Sequence, residues 1–234
     1  MIDFHSHILP QIDDGSKSIE QSIEIINEAK KAGFTKIIST SHYIENYYES
    51  NEQEREKLLK TLQENIEGIE LYLGSEIYIT EEMNQLIKEN KASTINKSRY
   101  VLFEFPLTAK AIDDKEVIYR LIEEGYVPIV AHPERYVYVQ ENPEYIEELS
   151  EMGALFQANY GSIIGMYGKK AQKTLKILLK QELISFFGSD VHRPEQVYAK
   201  MPKILKKLNK ILSKEEIEQF TKINPQKVLN NEEI

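Results

Sequence analysis

Seven short apolar runs recur along this chain, and helical patterns lie between them. They are Ile2–Phe4, Thr35–Thr40, Ile69–Leu73, Arg99–Phe103, Val127–Val130, Ala154–Gln157 and Leu183–Phe187. All are rich in Ile, Val, Leu, Phe or Tyr and bounded by turn residues, the pattern of a strand. Between them, Ser18–Ala32 repeats Ile19, Ile23, Ile26 and Ala29 at helical spacing and stops at Gly33. Glu52–Glu67 places Leu58, Leu59, Leu62 and Ile66 on one face, and Lys115–Glu124 ends at Gly125. Pro143 opens a further helix with Ile146, Leu149 and Met152 inward. Lys169–Lys180 and Glu195–Asn209 follow, then a helix and tail over Ser213–Ile234. Alternating strands and helices call for an α/β protein with a parallel sheet, and near-continuous apolar strands call for a sheet covered on both faces. An open doubly wound sheet and a closed barrel both satisfy these rules.

The chemistry-bearing residues favour the barrel. All five histidines stand where a strand hands over to a loop: His5 and His7 in D-F-H-S-H, His42 in S-T-S-H-Y, His132 in A-H-P-E-R and His192 in G-S-D-V-H-R. Carboxylates occupy equivalent positions, with Asp13 and Asp14 before Gly15, Glu76 after L-Y-L-G-S, Glu104 before Phe105-Pro106, and Asp190 two residues before His192. An unpaired charge at the end of an apolar run is costly, and a metal ion removes that cost. Imidazole is a common ligand for transition metals. These groups come from six of the seven strands. In a barrel all strand C-termini converge on one face, whereas the outer strands of an open sheet lie too far apart to share a site. The expected fold is therefore a (β/α)7-type barrel, one strand short of the usual eight. No linker or internal repeat interrupts it, so residues 1–234 are expected to form one domain.

Within that frame His5-x-His7 and Asp190-x-His192 are the sharpest local signals. Alternate residues at a strand end project to the same side and can reach one ion. The bland alternatives are a hydrogen-bonded histidine or a helix-capping acid, and Asp14 in particular can cap the helix near Ser18 or shape the turn at Gly15. The chain has no cysteine, which excludes disulfides, thiolate zinc sites and a cysteine nucleophile. Its net charge is −9, from 29 Lys and Arg against 38 Asp and Glu, which argues against a nucleic-acid partner. Lys203, Lys206, Lys207 and Lys210 read first as a solvated helix face. A start without basic and apolar signal regions, and no apolar run of about 18 residues, lead us to expect a cytoplasmic chain without membrane insertion.

Taken together, these motifs resemble the PHP (polymerase and histidinol phosphatase) metal-dependent phosphoesterases. M-I-D-F-H-S-H-I-L-P-Q-I-D-D-G-S-K-S, T-S-H-Y, G-S-E-I, F-E-F-P, A-H-P-E-R-Y and G-S-D-V-H-R are most similar to the PHP-type protein-tyrosine phosphatases of bacterial capsule and exopolysaccharide synthesis. The likeness runs from residue 2 to the N-P-Q-K-V-L near residue 225. It implies a distorted (β/α)7 TIM-like barrel of the PHP type holding three divalent ions, manganese foremost, with iron, zinc or magnesium as alternatives. By motif, His5, His7, Glu76 and Asp190 would hold one ion. Glu76 would bridge to a second held by Glu104 and His132, and Asp14, His42 and His192 would hold the third. Asp13 competes with Asp14 for that role.

Two ions about 3.5–4 Å apart can share a hydroxide and lower its pKa toward neutrality, arming it for in-line attack on phosphorus. Arg135 and Arg193 sit in ligand-bearing loops, where a guanidinium can grip phosphate through two hydrogen bonds. The alternative for Arg135 is an ion pair with Glu134 or another acid. Tyr43, Tyr47, Tyr48, Tyr136, Tyr138, Tyr160 and Tyr167 are candidates for stacking on a phenyl ring, although any one of them reads first as an ordinary core or surface tyrosine. Phosphotyrosine as substrate follows from the resemblance alone, as does the partner it implies, the tyrosine-rich tail of a membrane-associated bacterial tyrosine autokinase. A small-molecule phosphomonoesterase of the histidinol-phosphate type and a non-catalytic metal-binding kinase partner are the competing readings.

Overall fold

Nine parallel strands make seven staves in the computed structural model, which describes residues 1–234. The strands are β1 (Ile2–Ser6), β2 (Lys36–Ser39), β3 (His42–Tyr43), β4 (Glu70–Leu73), β5 (Glu76–Tyr78), β6 (Tyr100–Glu104), β7 (Val127–Ala131), β8 (Leu155–Asn159) and β9 (Phe186–Gly188). They pair in the orders β1-β2-β4 and β3-β5-β6-β7-β8-β9. The β2–β4 register ends at Ser39 and Leu73 and resumes three residues on in both chains, at His42 and Glu76. β2 with β3, and β4 with β5, are therefore two broken staves rather than four. The sheet returns on itself where Asp190 N–H donates to the His5 carbonyl at 2.8 Å and His7 N–H to the Val191 carbonyl at 3.0 Å. The result is a distorted seven-stave barrel.

Helices cover the outside. They are α1 (Ile19–Lys31), α2 (Glu52–Glu64), α3 (Met83–Lys88), α4 (Asp114–Glu123), α5 (Val137–Glu141), α6 (Glu144–Glu151), α7 (Tyr160–Ile163), α8 (Gly168–Lys180), α9 (Met201–Leu208), α10 (Lys214–Glu218) and α11 (Asn224–Leu229). One apolar cluster fills the space between helices and sheet, including Ile25, Ile26, Val130, Phe156 and Leu175. A second fills the barrel itself with Phe4, Ile38, Leu102, Ile129 and Phe186, and Val228 and Leu229 of α11 complete it. Ile95, from the turn before β6, joins that inner cluster, and a side chain at Gly74 would come 2.6 Å from its Cδ1. Glycine at the break between β4 and β5 is what lets Ile95 in.

The first strand carries the feature that builds the site. Asp3 pairs with Ile37 but Ser6 with Ser39, so β1 holds one more residue than its partner across this interval, a bulge. Strict alternation would set Phe4 and His5 on opposite sides. Instead Phe4 stacks on Phe186 inside the barrel at 4.1 Å, while the His5 Cβ faces Gly188 on the same side, 2.5 Å from where a Cβ there would lie. The bulge thus turns His5 and His7 onto the inner face above the apolar plug.

One expected helix starts later than its sequence suggests. The stretch expected to be helical from Glu195 becomes regular only at Met201. The preceding residues are engaged elsewhere: Glu195 has φ 60°, Gln196 accepts from the His192 and Arg193 amides, and Tyr198 donates to Asp3. The short strands β3 and β5 and the helix α3 were not foreseen, being too short for periodicity to register.

Candidate metal centre

Side chains from six staves meet at the C-terminal mouth of the barrel. His5 Nε2 lies 3.0 Å from Glu76 Oε2 and 3.1 Å from His7 Nε2. His7 Nε2 lies 3.3 Å from the same Glu76 oxygen and 3.5 Å from Asp190 Oδ1. On the far side of Glu76, Oε1 is 2.8 Å from His132 Nε2, which is itself 3.7 Å from Glu104 Oε2. Asp14 Oδ1 lies 3.3 Å from His192 Nε2 and 3.8 Å from His42 Nε2. His42 also turns Nδ1 toward Glu76 at 3.1 Å and Glu104 at 3.3 Å. All nine expected ligand residues therefore fall in one cluster.

The donors form three sets close enough to share an ion: His7, Asp14, His42 and His192; His5, His7 and Asp190; and His42, Glu76 and Glu104. His7 and His42 each belong to two of these, so the sets interlock more than the motif-based partition implies.

The tautomers suit cation binding. His5 Nδ1–H donates to Gln157 Oε1 at 2.6 Å, His7 Nδ1–H to Asp13 Oδ2 at 2.8 Å, and His192 Nδ1–H to the Asp190 carbonyl at 3.0 Å. Each Nε2 is left with its lone pair aimed inward, as in carboxylate–histidine–metal arrangements. His42 Nδ1 and His132 Nδ1 are buried and have no hydrogen-bond partner of their own. Mixed imidazole and carboxylate donors without thiolate fit manganese, iron or zinc.

Backbone strain marks the same place. His132 (φ 34°) and Asp190 (φ 53°) both adopt the left-handed conformation. Neither is glycine, and each such residue costs about 1–3 kcal/mol unless its surroundings enforce it. His132 directly follows the end of β7 and Asp190 stands two residues beyond the end of β9, where the left-handed step redirects each side chain into the cluster.

The family model for capsular polysaccharide synthesis, CpsB/CapC, matches residues 1–230. The chain belongs to this family. It is 37% identical over 243 residues to CapC of Staphylococcus aureus, an alignment covering 100% of this chain and 93% of that one. It is 35% identical over 202 residues to the tyrosine-protein phosphatase YwqE of Bacillus subtilis, covering 82% of this chain and 77% of the relative. A solved chain from the work on Bacillus subtilis YwqE and Streptococcus pneumoniae CpsB, described as unique metal-dependent tyrosine phosphatases, is 31% identical. It superposes with a TM-score of 0.91, covering 100% of this chain and 96% of its own. Histidinol phosphate phosphatase from Lactococcus lactis shares the fold, with a TM-score of 0.58 at 16% identity over 90% of this chain and 93% of its own.

In this CpsB/CapC chain the two adjacent aspartates divide their work. Asp13 is buried, accepts from His7 Nδ1, and takes the His42 and Gly15 amides at 2.8 Å each. It orients the imidazole and the loop. Asp14 is half exposed and presents its carboxylate to His192 and His42.

The two arginines also differ. Arg135 Nη1 donates to Asp190 Oδ2 at 2.6 Å, and its guanidinium lies 4.5 Å over the Tyr167 ring. Its acid partner is Asp190 and not Glu134, which is buried against Ser162 Oγ and the Asn159 amide. Arg193 Nη1 donates to the carbonyls of Asp14, Gly15 and His192, tying the first loop to the last. Both arginines line a cavity of about 380 Å³ beside Asp14, Asp190 and His192.

Of the seven candidate tyrosines, Tyr43, Tyr136 and Tyr160 are buried packing residues. Tyr138 packs partly buried against them. Tyr47 is exposed, Tyr48 lies parallel to His42 with ring centres 6.2 Å apart, and Tyr167 underlies Arg135.

Charge crowding sets the protonation pattern. Burial opposes the Glu76 carboxylate, but His5, His42 and His132 hold it well below the usual range. Burial likewise opposes ionised Asp190, which His7, His5 and Arg135 hold well below its ordinary value. Glu104 is pushed well above the carboxylate range by burial and by the charges of Glu76 and Asp190. His42 is lowered to about 4, chiefly by burial. A cluster with more carboxylate than its imidazoles neutralise attracts cations.

Sequence reasoning missed Gln157 and Asn159. Gln157 Nε2 donates to Asn159 Oδ1 at 2.9 Å, and Asn159 Nδ2 donates to Asp190 Oδ2 at 2.7 Å. This chain fixes the amide so that its oxygen faces His5. The signal was present as two polar residues alternating along an otherwise apolar strand. Gln157→Leu is expected to weaken metal affinity about 10- to 100-fold with the fold retained, as checked by metal titration of the purified variant.

Proposed function

We propose that residues 1–234 act as one metal-dependent protein-tyrosine phosphatase domain. The observation that carries this reading is the gathering of nine histidine and carboxylate side chains at one barrel mouth, in a chain whose solved relative is a metal-dependent tyrosine phosphatase. In this reading His5, His7, Glu76 and Asp190 would hold one divalent ion, Glu76, Glu104 and His132 a second, and Asp14, His42 and His192 a third, with manganese foremost. When bound, such ions acidify water and neutralise phosphoryl oxygens. Asp13 and Gln157 keep the imidazole tautomers correct. Arg135, held flat on Tyr167, offers its remaining N–H groups to a phosphate in the adjoining cavity. Arg193 keeps the Asp14 and His192 loops together and contributes its charge to the same cavity.

The substrate in this reading is the phosphorylated tyrosine tail of a bacterial autokinase that governs polysaccharide export, met in the cytoplasm. Tyrosine is a better leaving group than an alcohol because its pKa is about 10. No helix of the chain is long and apolar enough to cross a membrane.

The test compares a phosphotyrosine peptide with histidinol phosphate at matched concentration, using Mn²⁺-loaded protein. Preference for the peptide by at least about tenfold in kcat/KM, a difference of about 1.4 kcal/mol, is expected. The reverse preference overturns the substrate assignment, and tight metal binding without turnover of either overturns the catalytic one.

A further inference from the structure

The lysines of the last third of the chain are distributed in a way the metal centre does not explain. From Met152 to Gln181, and again from Gln196 to Lys214, there is no aspartate or glutamate. The two segments hold eleven lysines and no arginine, while all 38 acidic residues lie elsewhere. On α8, Lys169, Lys173, Lys176 and Lys180 follow the 4-3-4 spacing of a single helical stripe, and all are exposed. In and beside α9, Lys200, Lys203, Lys206 and Lys210 are exposed as well.

α8 and α9 both pack on α7, so the two rows lie on one flank of the barrel. Lys207, half-buried, reaches back to the Ile163 carbonyl of α7 at 3.5 Å. None of the eleven lysines forms an ion pair, whereas Lys88, Lys97, Lys115 and Lys222 on other faces do so at 2.7–2.8 Å. A solvated face in an acidic protein ordinarily mixes both signs. These two segments supply only one, and the acid bonded to the end of α8 is Glu147 of α6, which accepts from Gln181.

We infer that the α8–α9 flank is a docking surface for an anionic lipid bilayer. The stripe on α8 spans about 16 Å at 1.5 Å per residue. Its lysines stand about 5–6 Å apart, within the Debye length of about 8 Å at physiological salt, so they act on an anionic surface together. The chemistry favours a diffuse field of charge over a discrete partner. Lysine supplies mobile point charges, and the absence of arginine removes the fork that recognises a defined carboxylate or phosphate. Neither segment offers the arginine and exposed aromatic rings by which single-stranded nucleic acid is held. Met166 and Ile211, exposed apolar residues beside the lysines at the ends of the two helices, suit the headgroup boundary.

The flank also has a useful position. α8 begins one residue after Tyr167, which lines the cavity beside the metal centre, so docking sets that mouth close to the bilayer. The inference does not depend on what the centre hydrolyses.

Co-sedimentation with vesicles tests it, at about 150 mM salt, where screening is already substantial. The protein is expected to pellet with vesicles containing about one third phosphatidylglycerol and to stay in solution with pure phosphatidylcholine. Each lysine removed from the surface weakens partitioning by about fivefold. K169E/K173E/K176E/K180E should therefore remain in solution, and the milder K173Q/K176Q should weaken binding without adding negative charge. K57E/K60E on α2 should bind as wild type. Both α8 variants should retain wild-type metal content and thermal unfolding, which separates lost binding from lost fold. No pelleting of wild type with anionic vesicles overturns the inference, as does equal binding by the quadruple variant. Capture by soluble polyglutamate without any vesicle binding also overturns it, in favour of an acidic protein partner.

Discussion

His5→Ala is expected to lower turnover of a phosphotyrosine peptide by at least about a thousandfold, since metal ions supply several kcal/mol of transition-state stabilisation and each 1.36 kcal/mol is a factor of ten. His5 is fully buried, and its Nε2 is within 3.1 Å of both Glu76 and His7. Its loss opens the centre at the point where two donor groups meet. The fold should survive, because alanine keeps the Cβ that packs over Gly188 and the barrel plug below is untouched. What is lost is the partner of Gln157 Oε1, and an orphaned buried acceptor costs about 1–3 kcal/mol. Steady-state kinetics, metal analysis and thermal unfolding on the same preparation make the check. Wild-type turnover in a variant that no longer holds its metal would remove the centre from the mechanism.

Chelation should abolish turnover, Mn²⁺ should restore it, and thiol alkylation should leave it unchanged because the chain has no cysteine. The pH dependence has a definite sign. Burial opposes protonation of His5 and His7, yet Glu76, Asp190 and Asp13 outweigh it and raise both above the ordinary histidine value. Glu104 is raised as well, by burial and its acidic neighbours. In the metal-free protein the folded state binds more protons than the unfolded one at Glu104 once the pH exceeds about 4.5, and at His5 and His7 once it exceeds about 6.5. Each contribution to stability is complete below its own starting point and fades as pH rises through the folded value. His42 and His132 are lowered, so their contribution runs the other way: it grows as pH rises from their folded values through about 6.5 and levels off above that.

Ions displace the same protons, so metal affinity should increase with pH over the range in which the metal-free fold weakens. Thermal unfolding with and without Mn²⁺ should therefore diverge as pH is raised from about 6.5. Parallel curves would mean that these groups do not face a common ion.

Much of the centre was legible before the fold was known. Histidines and acids at strand ends are costly unless something binds them, and in a barrel those ends share one face. That argument needs no coordinates. Gln157 and Asn159 left a trace as alternating polar residues on β8, but their role depends on which amide atom faces His5. Arg135 was visible as a cation beside a ligand, while its partner, Asp190 in place of Glu134, was not. His132 and Asp190 take left-handed backbone conformations, which no residue type announces.

Residue types and spacing alone determined the αβ alternation, the inventory of candidate ligands and the absence of thiol chemistry, because these depend on local periodicity and on what each side chain can donate. The tertiary structure alone decided how the candidate ligands interlock, which aspartate orients and which faces the cluster, and how a one-residue bulge sets Phe4 and His5 on the same side of β1. Those outcomes depend on register between strands distant in sequence. A slip of one residue reverses every side chain, and only the closed barrel holds the register in place.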